Sequence, residues 1–302
     1  MRKTALVCSA VLASLLFVEI GVRASGLTDF PTYHVQPGIE YWPRENQSGA
    51  FLNTNDWSFN GKGMPISRTW SPNIHPNLLL IGNSIVMGGN PYRQEEKLAP
   101  QLQKLMGEDR VVWPIAAGGW TEINEMAFLD RHPEIVEASD YFAWEYMSGG
   151  LSTANRWPGE YVFPSHKPIY ASWYVARRYV FPRIFTFRVE SELPPRGLPD
   201  QSAMGKFADS LATMTHTING AVPGIIWLFP TAAELDMVKQ GREWLPERRQ
   251  IREIADRRNV RIVDIAANPA WRTALYRSDR VHPTAEGFRV LASILHTELI
   301  RR

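Results

Sequence analysis

The sequence predicts an α/β protein whose parallel β-sheet is covered by helices. From residue 77 onward, short apolar runs alternate with amphipathic segments, which is the pattern of strands joined by crossover helices. Three of these runs end in loops of small residues, and in open parallel sheets the ligand crevice lies at the carboxyl ends of the strands. We therefore expect one domain over residues 77–302, with its functional site at that edge.

Five apolar runs are predicted to form the sheet. They are Leu78–Ile81, Val111–Ala116, Tyr141–Met147, Ile225–Phe229 and Val260–Ile265. Helices are predicted between and after them from apolar residues spaced by three and four. The clearest series are Met204, Phe207, Leu211, Met214 and Ile218, and Phe288, Leu291, Leu295 and Leu299.

One segment, residues 152–200, breaks this alternation. It is rich in aromatic residues and arginines, and we interpret it as an insertion. Such a segment could form a lid that stacks on sugar rings, or it could rest on a membrane surface. Alternatively, most of the rings simply pack the insertion onto the core.

The N-terminus has the pattern of an export signal. Arg2 and Lys3 precede an apolar run from Thr4 to Val18, and Val22-Arg23-Ala24 resembles a cleavage site. A cleaved signal over residues 1–25 and a retained anchor over residues 4–22 both fit, and both place the rest of the chain in the periplasm or outside the cell. A buried first helix is the third interpretation.

Residues 26–76 are predicted to form an irregular leader packed on the main domain. They contain repeated prolines among Asn, Gly and Trp, which favours turns over periodic structure.

Composition excludes several classes of function. The net charge is +2 and no basic run stands out, so nucleic-acid binding is not expected. The single cysteine, Cys8, lies in the N-terminal apolar run, and the seven histidines are scattered singly. We therefore expect no metal site and no cofactor.

The turn after the first strand presents a candidate nucleophile. Gly82-Asn83-Ser84 follows a buried apolar run, and a tight turn there lifts the Ser84 hydroxyl out at the end of the strand. Taken alone, the pattern is equally that of an ordinary strand-to-helix turn.

A candidate base and its orienting carboxylate lie near the C-terminus. A serine hydroxyl needs an imidazole to take its proton, and a carboxylate fixes the tautomer of that imidazole. Asp279 and His282 are three residues apart in a loop before the last helix, so one turn can supply both groups. A surface loop would give the same spacing.

Taken together, these blocks resemble the SGNH (GDSL-like) hydrolase family. The resemblance rests on Gly82-Asn83-Ser84 with Gly88, on Gly119 after the second strand, and on Asp279-x-x-His282-Pro283 with Gly287. It covers about residues 77–302. It implies a three-layer α/β/α sandwich with a flavodoxin-like five-stranded parallel sheet. It also implies a triad of Ser84, His282 and Asp279, and an oxyanion hole that uses the N–H groups of Ser84 and Gly119.

The chain departs from the family pattern at two positions. Asn83 stands where the family has an aspartate, which is a near-isosteric change. The family's Gly-x-Asn-Asp block is missing after the third strand, so the asparagine that donates to the oxyanion is absent and Gly149 stands near its position. Ser148, or Asn155 from the insertion, are the candidates to replace that donor. Losing one such donor costs about 100- to 1000-fold in turnover.

The resemblance implies an enzyme that moves an ester-linked acyl group, with acetyl favoured, on a carbohydrate. Water as acceptor makes it an esterase or deacetylase, and a sugar hydroxyl makes it an O-acetyltransferase of an exported polysaccharide. The missing asparagine leaves a third hypothesis open, a non-catalytic carbohydrate-binding or assembly protein on the same scaffold.

Overall fold

A computed structural model describes residues 2–108, 110–184, 199–217 and 224–301. Its strands are β1 Tyr33–Gln36, β2 Glu40–Pro43, β3 Gln47–Phe51, β4 Asn55–Phe59, β5 Asn77–Gly82, β6 Val111–Ala116, β7 Tyr141–Tyr146, β8 Gly224–Leu228 and β9 Arg261–Asp264. Its α-helices are α1 Arg2–Ala24, α2 Ser84–Met87, α3 Leu98–Met106, α4 Glu122–Arg131, α5 Pro133–Glu137, α6 Ala171–Val175, α7 Phe181–Ile184, α8 Gln201–Thr217, α9 Ala232–Lys239, α10 Arg248–Arg257 and α11 Ala285–Ile300. A π-helical turn, Ala176–Val180, joins α6 to α7.

The central sheet confirms the predicted fold class. Its five parallel strands run in the order β6-β5-β7-β8-β9, so the first strand of the sheet lies between the second and the third, as in flavodoxin-like folds. Helices α3 and α11 pack together in one layer, while α8 contacts α4, α5 and α10 in another. After β5 the chain adds β6 on one side, and β7, β8 and β9 then follow on the other side of β5. In such sheets, ligands bind in the crevice at the point where the strand order reverses in this way.

The five predicted strands are all present, with ends shifted by one residue or a few. The last strand stops at Asp264 rather than Ile265, because the Asp264 side chain accepts the N–H of Ala266 at 2.9 Å and starts a short 3-10 turn. Helix α10 begins at Arg248, two residues after Pro246. Of the predicted apolar positions on α8, Ile218 lies outside the described residues.

The leader is more regular than its sequence predicts. Residues 26–76 contain two antiparallel hairpins, β1–β2 and β3–β4. These strands are four or five residues long, too short to display an alternating pattern, and prolines such as Pro37 and Pro43 mark a turn and a strand end. Expecting an irregular segment from the prolines was therefore wrong.

Helix α1 buries none of its residues, which rules out the interpretation of a buried first helix. It spans Arg2–Ala24 and is long and apolar enough to cross a membrane, by length and composition. Its C-terminal end is held by the rest of the chain, since the Asn53 amide in the β3–β4 turn donates to the Ala24 carbonyl at 2.8 Å.

Candidate active site

The turn after β5 presents Ser84 at the start of α2. Asn83 caps this short helix, because its Oδ1 accepts the N–H of Ile85 at 3.1 Å. The N–H of Asn83 in turn donates to Glu145 Oε2 at 3.0 Å. A Cβ on Gly82 would overlap that same carboxylate, so the sharp turn requires glycine there. The neighbouring strand therefore shapes the turn that carries Ser84.

The loop before α11 closes on itself and holds His282. Asp279 Oδ1 accepts the N–H groups of Val281 at 3.0 Å and His282 at 2.9 Å. The N–H of Arg277 donates to the His282 carbonyl at 2.8 Å, which pins the other side of the loop. This closed loop fixes the direction of the imidazole.

The structure brings Ser84, His282 and Asp279 into one hydrogen-bonded row. His282 Nε2 lies 2.9 Å from Ser84 Oγ, and His282 Nδ1 lies 3.2 Å from Asp279 Oδ2. Both distances suit a base that removes the serine proton and a carboxylate that orients the base. The contact between Asp279 and His282 is the one that their spacing predicts, and the contact between His282 and Ser84 is the one that the resemblance implies.

Asp279 favours its charged form although the carboxyl is partly buried. Partial burial raises the pKa of the Asp279 carboxyl, but the N–H groups of His282 and Val281 and the charge of the His282 ring outweigh that effect. The pKa of Asp279 therefore lies below its ordinary value. A carboxylate that keeps its charge can stabilise the imidazolium formed during proton transfer.

A pocket of about 280 Å³ opens over Ser84 and His282. Two regions outside the α/β core form much of its wall. The leader contributes Phe30 and Tyr33, and the insertion contributes Phe163 and Arg178. Two of these rings pack against each other at a tilt, with the Tyr33 and Phe163 centroids 4.9 Å apart. The interpretation of the insertion as packing material thus applies to Phe163, which also lines the pocket.

Gly119 lies in the same pocket and is held there from two sides. Gly119 has φ +79° and lines the pocket beside Gly118. The hydroxyl of Tyr41, from the leader, donates to the Gly118 carbonyl at 2.8 Å, and the Asn155 amide donates to the Gly119 carbonyl. Fixing these two carbonyls fixes the orientation of the two peptide groups between Gly118 and Trp120, the first of which carries the N–H of Gly119.

The three candidates for a replacement oxyanion donor lie elsewhere. The N–H of Gly149 donates to Glu247 Oε1 at 2.6 Å, so this group is already engaged. Asn155 is 5% exposed and uses its amide on Gly119. The described residues that line the pocket include neither of these nor Ser148. Asn155 therefore contacts the predicted oxyanion loop without reaching the pocket.

Sequence reasoning missed four residues that shape this site. They are Tyr33 and Arg178 in the pocket wall, Glu145 under the Ser84 turn, and Glu247 under Gly149. Glu145 carries a signal that could have been used, because a carboxylate inside the apolar strand Tyr141–Tyr146 is costly unless it is hydrogen-bonded. The other three come from distant segments and have no local signal.

Comparisons with known proteins find solved structures that align with about three quarters of the chain at low identity. No family model matches the chain, and no curated protein matches it either. Among solved structures, the psychrotrophic esterase EstA from Pseudoalteromonas sp. is 12% identical with a TM-score of 0.46, and the alignment covers 74% of this chain and 96% of that one. A lipase/acylhydrolase from Enterococcus faecalis is 14% identical with a TM-score of 0.43, covering 74% and 95%. Axe2, an acetylxylan esterase from Geobacillus stearothermophilus, is 17% identical with a TM-score of 0.45, covering 76% and 95%.

The sheet order and the arrangement of the site residues both agree with what the sequence resemblance implies. The parallel order β6-β5-β7-β8-β9 is the flavodoxin-like order that the resemblance implies. Ser84, His282 and Asp279 lie in contact although nearly two hundred residues separate the first from the other two. The chain thus resembles the SGNH hydrolases in its motif blocks, in its fold and in the arrangement of these three side chains.

Proposed function

We propose that this protein is a serine-dependent acyl ester enzyme that acts on an O-acylated carbohydrate outside the cytoplasm. The observation that carries the proposal is the row of Ser84, His282 and Asp279, with its contacts of 2.9 and 3.2 Å. A pocket of about 280 Å³ suits a short acyl group such as acetyl better than a long chain. Helix α1 is proposed to export the domain or to anchor it.

In this proposal Ser84 Oγ attacks the acyl carbonyl while His282 Nε2 takes the hydroxyl proton. The N–H groups of Ser84 and Gly119 donate to the oxyanion of the tetrahedral intermediate. That intermediate collapses, the ester C–O bond breaks, and the His282 proton passes to the departing sugar oxygen. A water molecule, deprotonated by the same imidazole, then releases the acid and restores Ser84.

An O-acetyltransferase is the second candidate, because it differs only in the acceptor. The rings of Phe30, Tyr33 and Phe163 give the pocket an apolar wall, which favours a sugar hydroxyl over bulk water as acceptor. Both activities form the same acyl-enzyme, and they differ only in the molecule that accepts its acyl group.

Turnover of an acetylated saccharide separates these hypotheses. We expect the purified chain to release acetate, or to transfer acetyl to an added oligosaccharide, and the Ser84→Ala variant to lose either activity. Free acetate identifies the esterase, and an acetylated oligosaccharide identified by mass spectrometry identifies the transferase. Saccharide binding that survives Ser84→Ala, with no turnover by the wild-type protein, would instead establish the non-catalytic carbohydrate-binding function.

A further inference from the structure

We infer that helix α1 is retained, and that the exposed face of the helical insertion, Ile169–Ile184, lies on the membrane surface beside it. This inference rests on the membrane anchoring proposed above and is independent of catalysis. The partner it names is the lipid bilayer, at the level of the headgroups.

The position of the membrane surface follows from the sequence of α1. Residues Thr4–Val18 are apolar apart from small polar side chains, and Glu19 is the first charged residue after them. A charged side chain is costly in the hydrocarbon layer and is tolerated at its edge. Glu19 and the helical turns after it therefore mark the level at which the bilayer ends.

Glu19 attaches the insertion to α1 at that level. Its carboxylate accepts the N–H groups of Ala171 at 2.8 Å and Ser172 at 2.9 Å, and the Ser172 hydroxyl at 2.7 Å. These N–H groups lie in the first turn of α6 and have no acceptor within the helix, and a carboxylate caps such groups well. Arg23, paired with Glu19 at 2.8 Å, donates to the Ile169 carbonyl at 2.5 Å. The chain from 169 to 172 thus lies beside the end of the apolar run.

These contacts would be lost if α1 were removed. Cleavage after Ala24 would take away Glu19 and Arg23 and leave the first N–H groups of α6 without this carboxylate. Of the two interpretations that the sequence left open, the contacts favour the retained anchor.

The outer face of the insertion has the composition of a membrane-interface segment. Exposed residues at helical spacing run along it: Trp173, Arg177, Val180 and Ile184. The preceding turn adds Ile169, 77% exposed, and Tyr170, 70% exposed. Trp and Tyr are enriched where bilayers meet water, and arginines are attracted to anionic lipid headgroups.

We infer a bilayer as the partner because the exposed face of the insertion is continuous with α1. The exposed face adjoins α1, which is itself apolar and unburied, so one lipid surface can cover both. The inner face of the same helical segment carries Tyr174, which is buried, and Arg178, which lines the Ser84 pocket. The helical segment that we place on the membrane with its outer face thus contributes Arg178 from its inner face to the wall of the Ser84 pocket.

Tryptophan quenching by brominated lipid tests this inference in the full-length chain. The eleven tryptophans all lie in the described residues, and of these Trp173, at 55%, is the exposed one. The protein is reconstituted into vesicles of phosphatidylethanolamine and phosphatidylglycerol, with and without bromine on the acyl chains near the headgroup. Trp173→Phe is the test variant, and Trp70→Phe, which changes a partly buried ring beside Lys62, is the matched control.

We expect bromine-dependent quenching in the wild-type protein, most of which is lost in Trp173→Phe and kept in Trp70→Phe. The intact mass of the membrane-purified chain should include α1. Equal quenching in wild-type and Trp173→Phe, no quenching in either, or a mass lacking α1 would each overturn the inference. Acetyl-ester turnover of the same preparation is a separate readout, whose absence would count against the proposed function only.

Discussion

Two glycine loops follow β6 and β7, the strands on either side of β5, and they differ in the residues that pack against them. Gly119, after β6, has φ +79°, is partly exposed and lines the Ser84 pocket. Gly149, after β7, has φ +71° and is buried, and its N–H donates to Glu247 Oε1. The two loops have similar sequences and similar backbones. Whether a backbone N–H is available to a substrate is therefore decided by distant residues that pack against the loop.

The largest expected effect separates the two glycines directly. Alanine at either position must adopt a left-handed backbone, which costs roughly 1 to 2 kcal/mol of stability in both variants. Only Gly119→Ala should displace a donor to the oxyanion, with a loss of about 100- to 1000-fold in kcat. Thermal unfolding and ester turnover measured on both variants check this. Equal losses of turnover would show that the comparison is wrong.

Glu247 provides the next test, on the buried loop. Glu247→Ala leaves the N–H of Gly149 without its acceptor, which should lower the free energy of unfolding by about 1 to 3 kcal/mol. Glu247→Gln keeps an acceptor oxygen and should retain most of that stability. Denaturant unfolding gives both values. In Glu247→Gln, kcat should stay near that of the wild-type protein, and a 100-fold fall would contradict the separation of this loop from the reaction.

Substitution of Asn155 tests the Gly119 loop through the residue that holds it. It is a positioning residue in this account, since its amide donates to the Gly119 carbonyl. Asn155→Ala should lower kcat by up to about 100-fold, because a small displacement of a catalytic group has that effect. KM should change little. Thr153→Ala, two positions away, is a suitable control, because the bond that Thr153 makes among the described residues uses its backbone carbonyl, which accepts the Thr121 hydroxyl. A rise in KM with unchanged kcat would contradict the positioning role.

These loops also show how far the sequence could predict the molecule. The five strands are visible because each is a short apolar run, and Ser84, Asp279 and His282 are visible because their turns have local signatures. The hydrogen bond that occupies the Gly149 N–H could not be predicted, since Glu247, whose carboxylate accepts it, is 98 positions away. The same holds for the pocket wall, which combines Tyr33 with Phe163 from two segments that lack periodic patterns.

The smallest expected effect concerns pH and lies outside both loops. The pKa of Asp279 is lower in the folded protein than the ordinary value of about 3.9. A depressed carboxyl pKa stabilises the fold fully above that ordinary value, and the stabilisation is lost as pH falls through the lower folded-state pKa. The stability difference between the wild-type protein and Asp279→Asn should therefore shrink below about pH 4. Melting temperatures at pH 7, 4 and 3 measure it, and a difference that grows with acid would contradict this sign.

The central claim is that His282 activates Ser84, and covalent labelling tests it most directly. A serine-directed organophosphonate should attach to Ser84 in the wild-type protein, with the adduct located by mass spectrometry. The rate of labelling should fall sharply in His282→Ala, while Gly149→Ala should label like the wild-type protein. No adduct at Ser84, or an equal rate in His282→Ala, would contradict the claim.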